Sequence, residues 1–120
     1  MLVLKVIYGP MIGCTHTITD HQKKAVIGRH GAKMPLNDYR VSRKHCEIRL
    51  GLTCWEIEDL SSSNGTYVNG KEIRMPMRLV EGDRIQIGGV LLEVERLTLP
   101  DVQREEQKFD RLAPYRARMA

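Results

Sequence analysis

Three short polar segments carry side chains suited to holding an anion: Gly28-Arg29-His30, Ser42-Arg43-Lys44-His45 and Ser62-Ser63-Asn64-Gly65-Thr66. Arginine presents a planar fork of N–H donors that matches phosphate oxygens two at a time, and serine hydroxyls with loop N–H groups fill the remaining acceptors. If the segments converge, the inventory has no carboxylate near the set. Asparagine joins a donor and an acceptor on one amide, which suits pairing with the backbone of an extended peptide. Brought together, these residues form a receptor for a phosphorylated chain. Left apart, they read as ordinary surface chemistry: Arg29 a solvated charge at a strand end, Ser42 and Ser63 turn residues capping local backbone.

Convergence depends on the elements between the segments. Cys46-Glu47-Ile48-Arg49-Leu50 and Cys54-Trp55-Glu56-Ile57-Glu58 alternate apolar with polar, the period-two pattern of strands with one face against a core. Leu2 to Tyr8, Ala25 to Ile27, Arg84 to Ile87 and Val90 to Arg96 are further strands, separated by Gly, Pro, Asn and Asp clusters. Asn69-Gly70 between Thr66-Tyr67-Val68 and Lys71-Glu72-Ile73 predicts a two-residue hairpin, because this dipeptide accepts the positive φ angles of a type I′ turn. Many short strands without a clear helix predict an all-β sandwich or barrel, whose loops gather at its two ends. All three polar segments lie where strands meet loops, so one end of such a fold brings them together.

The chain has 120 residues, 42% hydrophobic and 28% charged, enough for one globular domain and unlike a disordered chain or a disulfide scaffold. Cys14, Cys46 and Cys54 are an odd number without metal-ligand spacing, and read as reduced thiols in the body of a cytoplasmic domain. No apolar run reaches the roughly 18 residues of a membrane helix, so no membrane insertion is expected. The net charge of +4 favours an anionic partner, and the excess lies mainly before residue 98. Residues 1–97 form the expected domain. Residues 98–120 form a polar segment in which Asp101 caps either a short docked helix with the thin apolar stripe Val102, Phe109 and Leu112, or a disordered linker.

The order G-R, S-R-x-H, D-L-S-S-x-N-G-T-x-V-N-G and L-x-x-G-D-x-I-x-I-G, here at Gly28-Arg29, Ser42 to His45, Asp59 to Gly70 and Leu79 to Gly88, resembles the forkhead-associated (FHA) domain. The resemblance covers about residues 1 to 97. It implies an eleven-stranded β-sandwich whose loops at one end bind phosphothreonine peptides, a specificity that composition and spacing do not supply. By position it implies that Arg29 and Ser42 bind phosphate, with Arg43 and Ser63 as further phosphate contacts. Asn64 then bonds the peptide backbone and Arg40 contacts the peptide. His45 is implied to brace the loops rather than to act on a ligand. Gly28, Gly65, Asn69 and Gly70 read as backbone supports for the site.

The resulting expectation is a phosphothreonine-recognition module, an adaptor or regulatory domain downstream of a Ser/Thr protein kinase. An enzyme needs a nucleophile with an oriented base, a metal set or paired carboxylates, and the inventory offers none, so neither catalysis nor a cofactor is expected. Nucleic acid is not the expected partner, because no aromatic side chains interleave with the basic ones to stack bases. A phosphate-independent docking role would leave Arg29, Ser42 and Asn64 without a purpose.

Overall fold

The computed structural model describes residues 1–30 and 32–100. Eleven strands run through them: β1 Leu2–Tyr8, β2 Thr15–Ile18, β3 Lys24–Gly28, β4 Met34–Pro35, β5 Cys46–Leu50, β6 Trp55–Asp59, β7 Thr66–Val68, β8 Lys71–Glu72, β9 Met77–Leu79, β10 Arg84–Ile87 and β11 Val90–Leu97. One sheet has the order β2-β1-β11-β10-β7-β8, the other β4-β3-β5-β6-β9. The fold is therefore the all-β sandwich that the alternation and the resemblance predict. The expected C-terminal helix or linker falls outside the described residues beyond position 100.

Alternation along each strand builds the core. Leu2, Leu4 and Val6 of β1 are buried, as are Ile85 and Ile87 of β10 and Val90, Leu92 and Val94 of β11. From the second sheet Ala25 and Ile27, Cys46 and Ile48, and Trp55 and Ile57 meet them. Burying one such aliphatic side chain contributes about 1.5–3 kcal/mol, so this interior is the main source of stability. Trp55 is fully buried and its indole N–H donates to the Thr98 carbonyl at 3.0 Å, while Thr98 N–H donates to the Met1 carbonyl at 2.8 Å. Residues Leu97 to Leu99 thus close the sandwich over its own first strand.

Three strands carry no sequence signal. β2, β4 and β9 each lie at a sheet edge, with one neighbour only. An edge strand needs little apolar alternation, and tolerates Pro35 or an adjacent Pro76 because no second partner asks for every N–H. β6 begins at Trp55 rather than Cys54, since the Cys54 carbonyl accepts from Gly51 N–H at 2.8 Å and so closes the preceding turn. The hairpin is as expected: Asn69 and Gly70 have φ of 52° and 85°. Cys46 is buried, Cys54 half-buried and Cys14 exposed on the β1–β2 loop, so the body of the domain holds only two of the three free thiols. Burial pushes the Cys46 thiol up, leaving Cys14 the accessible one.

Candidate functional site

The loops at one end of the sandwich converge. Arg29, Arg40, Ser42, Arg43, Ser63 and Asn64, together with Tyr39 and Val41, line one open depression of about 230 Å³. The six residues expected to touch a ligand come from three segments far apart in sequence, and they share one surface.

Their hydrogen bonds leave specific groups unspent. The backbone N–H of Arg29, just beyond β3, donates to the Ser42 carbonyl at 3.0 Å, which fixes the two loops side by side. The Arg29 guanidinium makes one long contact, to the Tyr39 carbonyl at 3.3 Å, and keeps most of its donors. Ser42 Oγ accepts from Ser63 N–H at 3.0 Å, which leaves its own hydroxyl proton to donate outward. Asn64 Nδ2 donates to the Arg40 carbonyl at 2.8 Å, so the amide is oriented with its oxygen left as an acceptor. Arg43 and Ser63 are exposed beside them. The depression therefore offers N–H and O–H donors together with one fixed amide acceptor.

Arg40 differs from the other two arginines. Its Nε and Nη2 donate to the Asp38 carboxylate at 3.2 and 3.1 Å, and its ring contact is Tyr39, 5.4 Å from guanidinium to centroid. Gly89 N–H adds a bond to Asp38 at 3.2 Å. A carboxylate thus does lie behind the set, contrary to the sequence inventory, but Asp38 is only 5% exposed and Arg40 neutralises it. The Arg40 side-chain bond, above all, holds the Asp38 carboxyl below the usual carboxylate range. Arg29 and Arg43 keep the uncompensated positive charge.

A second tier of residues supports the first. The His45 ring is fully buried: Nδ1 accepts from Ser42 N–H at 3.0 Å, and Nε2 meets the Gly65 carbonyl at 2.8 Å. Those partners require the tautomer with its proton on Nε2, donating to Gly65. His45 therefore ties two of the ligand loops together from beneath and does not line the depression. Gly28 lies where a Cβ would fall 1.8 Å from the Arg43 carbonyl oxygen, so β3 and the loop carrying Ser42 and Arg43 pack backbone to backbone. Asn69 and Gly70 are not brought to the site. They sit at the far end of β7, and Asn69 bonds Asp83 at 3.0 Å and Arg84 N–H at 3.0 Å there, supporting the hairpin instead.

Two organisers lie outside the residues assigned to the site from sequence, although Asp59 reads there as a turn residue capping backbone. Asp59 takes Ser62 N–H at 3.0 Å, Ser62 Oγ at 2.5 Å and Thr66 Oγ1 at 2.6 Å, folding the loop that presents Ser63 and Asn64. Ser62 Oγ in turn accepts from Gly65 N–H at 3.0 Å. Tyr39, 83% exposed, overhangs the depression; a lone aromatic in the Asn-Asp-Tyr-Arg loop was the available signal. Among the described residues no group of three or more His, Cys, Asp or Glu stands ready for a metal, and no helix is long and apolar enough to cross a membrane.

Asp59 gives the loop a pH dependence. Burial alone would raise its carboxyl, but the bonds from Ser62 and Thr66, with the nearby His45, outweigh burial and hold it below its ordinary value. A carboxylate depressed in the folded state contributes stability above its unfolded pKa and loses it as pH falls through the lower, folded value. Both Asp38 and Asp59 act in this direction. Stability should therefore decline below about pH 4, by several degrees of melting temperature between pH 5 and pH 2.5. Asp59→Asn should melt lower at pH 7 and show a shallower decline, as thermal scans across that range will measure.

Fold and site together place the chain in the FHA domain family, whose sequence model matches residues 25–88. Within the family it is similar to the oxoglutarate dehydrogenase inhibitor of Corynebacterium glutamicum, 39% identical over 89 residues that make up 73% of this chain and 59% of that protein. The glycogen accumulation regulator GarA of Mycolicibacterium smegmatis is 37% identical over 89 residues, 73% of this chain and 53% of GarA. The chain thus spans a little over half the length of these relatives. Among solved structures, an FHA domain described in a structural and functional analysis of phosphothreonine-dependent FHA domain interactions superposes with a TM-score of 0.71 at 32% identity, over 82% of this chain and 98% of that one. The FhaA FHA domain complexed with the intracellular domain of Rv3910 gives a TM-score of 0.68 at 32% identity, over 78% and 98%.

Proposed function

We propose that residues 1–97 are a phosphothreonine-peptide recognition module, acting in the cytoplasm as an adaptor or regulatory domain downstream of a Ser/Thr protein kinase. The observation that carries this reading is the convergence of Arg29, Ser42, Ser63 and Asn64 with their outward donors and one amide acceptor unspent. Arg29 and Ser42 bind the phosphate, Arg43 and Ser63 assist, and Asn64 holds the peptide backbone beside it. Arg40 contacts the peptide through what its bond to Asp38 leaves free. The role is binding and not catalysis: the buried His45 spends both ring nitrogens on the scaffold, and Asp38 is spent on Arg40.

A regulatory role is supported by relatives named for inhibition of oxoglutarate dehydrogenase and for regulation of glycogen accumulation, and by the FhaA domain's complex with another protein. Two or three charge-assisted hydrogen bonds at roughly 1.5–3 kcal/mol each supply most of the roughly 8 kcal/mol of a micromolar complex. The test is an oriented phosphothreonine peptide library with unphosphorylated controls. Selection of phosphopeptides alone supports the reading, and equal capture of the controls contradicts it.

Threonine should be preferred to serine. The γ-methyl is one buried carbon, worth roughly 0.8 kcal/mol by area and about 1–3 kcal/mol in a fitted pocket. Phosphothreonine should bind between about fivefold and two-hundredfold tighter than phosphoserine in a matched peptide. Fluorescence anisotropy on the pair measures it, and indifference would mean no methyl pocket exists.

A further inference from the structure

A second depression, of about 500 Å³, lies on the flank of β3 and β5 and includes Lys24, Lys33 and Lys44 in its lining. The three ammonium groups come from different elements: Lys24 opens β3, Lys33 precedes β4, and Lys44 precedes β5. None of them takes part in the ion pairs among the described residues. Glu47 is the one carboxylate in the lining, and Arg49 holds it at 3.4 Å. The depression is therefore positive with its only negative group already engaged.

Along the chain, two of these lysines adjoin the ligand loops. Lys44 follows Arg43 directly, and Lys24 and Arg29 bracket β3. At roughly 3.3 Å per residue the Lys24-to-Arg29 span is about 16 Å, the reach of about five residues of an extended peptide. We propose that Lys24, Lys33 and Lys44 form a second anion site that takes acidic or additional phosphorylated residues of the same partner, up to about five residues from its phosphothreonine. The proposal rests on the phosphothreonine reading and adds to it a preference in the flanking sequence. Carboxylate and phosphate are the same chemistry for an ammonium cluster, a point-charge receptor with no planar fork to match. Exposed charge pairs are individually weak and screened by salt, so the contribution is an increment on the primary site.

The experiment uses fluorescent peptides around one phosphothreonine: neutral flanks, three glutamates within five residues on the N-terminal side, the same on the C-terminal side, and a second phosphothreonine on either side. Each is titrated at low and high salt into the full chain and into Lys24→Gln/Lys33→Gln/Lys44→Gln. On one flank the acidic and doubly phosphorylated peptides should bind roughly five- to fiftyfold tighter than the neutral one at low salt, less at high salt. The triple variant should lose that gain and keep the neutral-peptide affinity. Equal affinity for neutral and anionic flanks, or a gain that survives in the triple variant, overturns the lysine site while leaving the primary site standing. Failure of every phosphopeptide to bind overturns both. Displacement of the acidic-flank peptide by a single-stranded DNA oligonucleotide, with the same lysine dependence, would make the depression a nucleic-acid contact and contradict the proposal.

Discussion

Arg29→Ala should lower phosphothreonine-peptide affinity by at least about a hundredfold while leaving the fold intact. The guanidinium can give two charge-assisted bonds to a phosphate, each worth roughly 1.5–3 kcal/mol, and together they account for about 10² to 10⁴ in affinity. Among the described residues the side chain makes one hydrogen bond, at 3.3 Å to the Tyr39 carbonyl, and the backbone bond to Ser42 does not depend on the side chain. Melting should therefore shift by no more than a few degrees. Arg29→Lys should recover part of the loss, because an ammonium keeps the charge and forfeits the paired geometry. Calorimetric titration with thermal scans on both variants measures the effect. An Arg29→Ala protein that binds within about threefold of the parent would remove this residue from the phosphate site.

The largest effect on stability is expected at Gly28→Ala. The added methyl would meet the Arg43 carbonyl oxygen at 1.8 Å, its carbon at 2.6 Å and the Ser42 carbonyl oxygen at 3.1 Å, all backbone atoms that cannot rotate away. β3 and the Ser42–Arg43 loop must separate, and with them go the Arg29-to-Ser42 bond at 3.0 Å and the His45 N–H to Ile27 bond at 2.9 Å. Overpacking costs about 1–3 kcal/mol and each lost bond about 1 kcal/mol more, a sum of about 3–5 kcal/mol against a total of about 5–15 for a domain. The melting temperature should fall by at least about 15 °C. Gly70→Ala is the control: its φ of 85° disfavours a side chain, but nothing lies within 4 Å of the new Cβ. It should cost about 1 kcal/mol. Equal, small shifts in the two variants would show that the close approach at Gly28 is tolerated.

The central strands were legible because burial on one face writes itself into every second residue. β1 and β10 appear over the residues that alternation predicts, and the Asn69-Gly70 turn fixes the β7–β8 pair even though β8 is short. The edge strands β2, β4 and β9 were not legible, since one unpaired side relaxes the demand for apolar alternation and lets Met77 stay 40% exposed. At the candidate site, Arg29, Ser42, Ser63 and Asn64, singled out in the sequence by their own chemistry, all line the depression. What escaped was relational. That the β10–β11 turn would close through Gly89 on the Asp38 carboxylate that Arg40 holds depends on two distant segments meeting, which spacing does not encode. Asn69 and Gly70 were grouped with the site through their motif, although β7 carries them away from it.

The most direct test of the account is amide chemical-shift mapping of the full chain, titrated in parallel with a phosphothreonine peptide and with its unphosphorylated twin. Binding at the proposed site predicts that the phosphorylated peptide perturbs the amides of Arg29, Ser42, Arg43, Ser63 and Asn64 and leaves those of Asn69 and Gly70 unmoved, and that the twin perturbs none. Shifts centred on another surface, or the same shifts with both peptides, would contradict it.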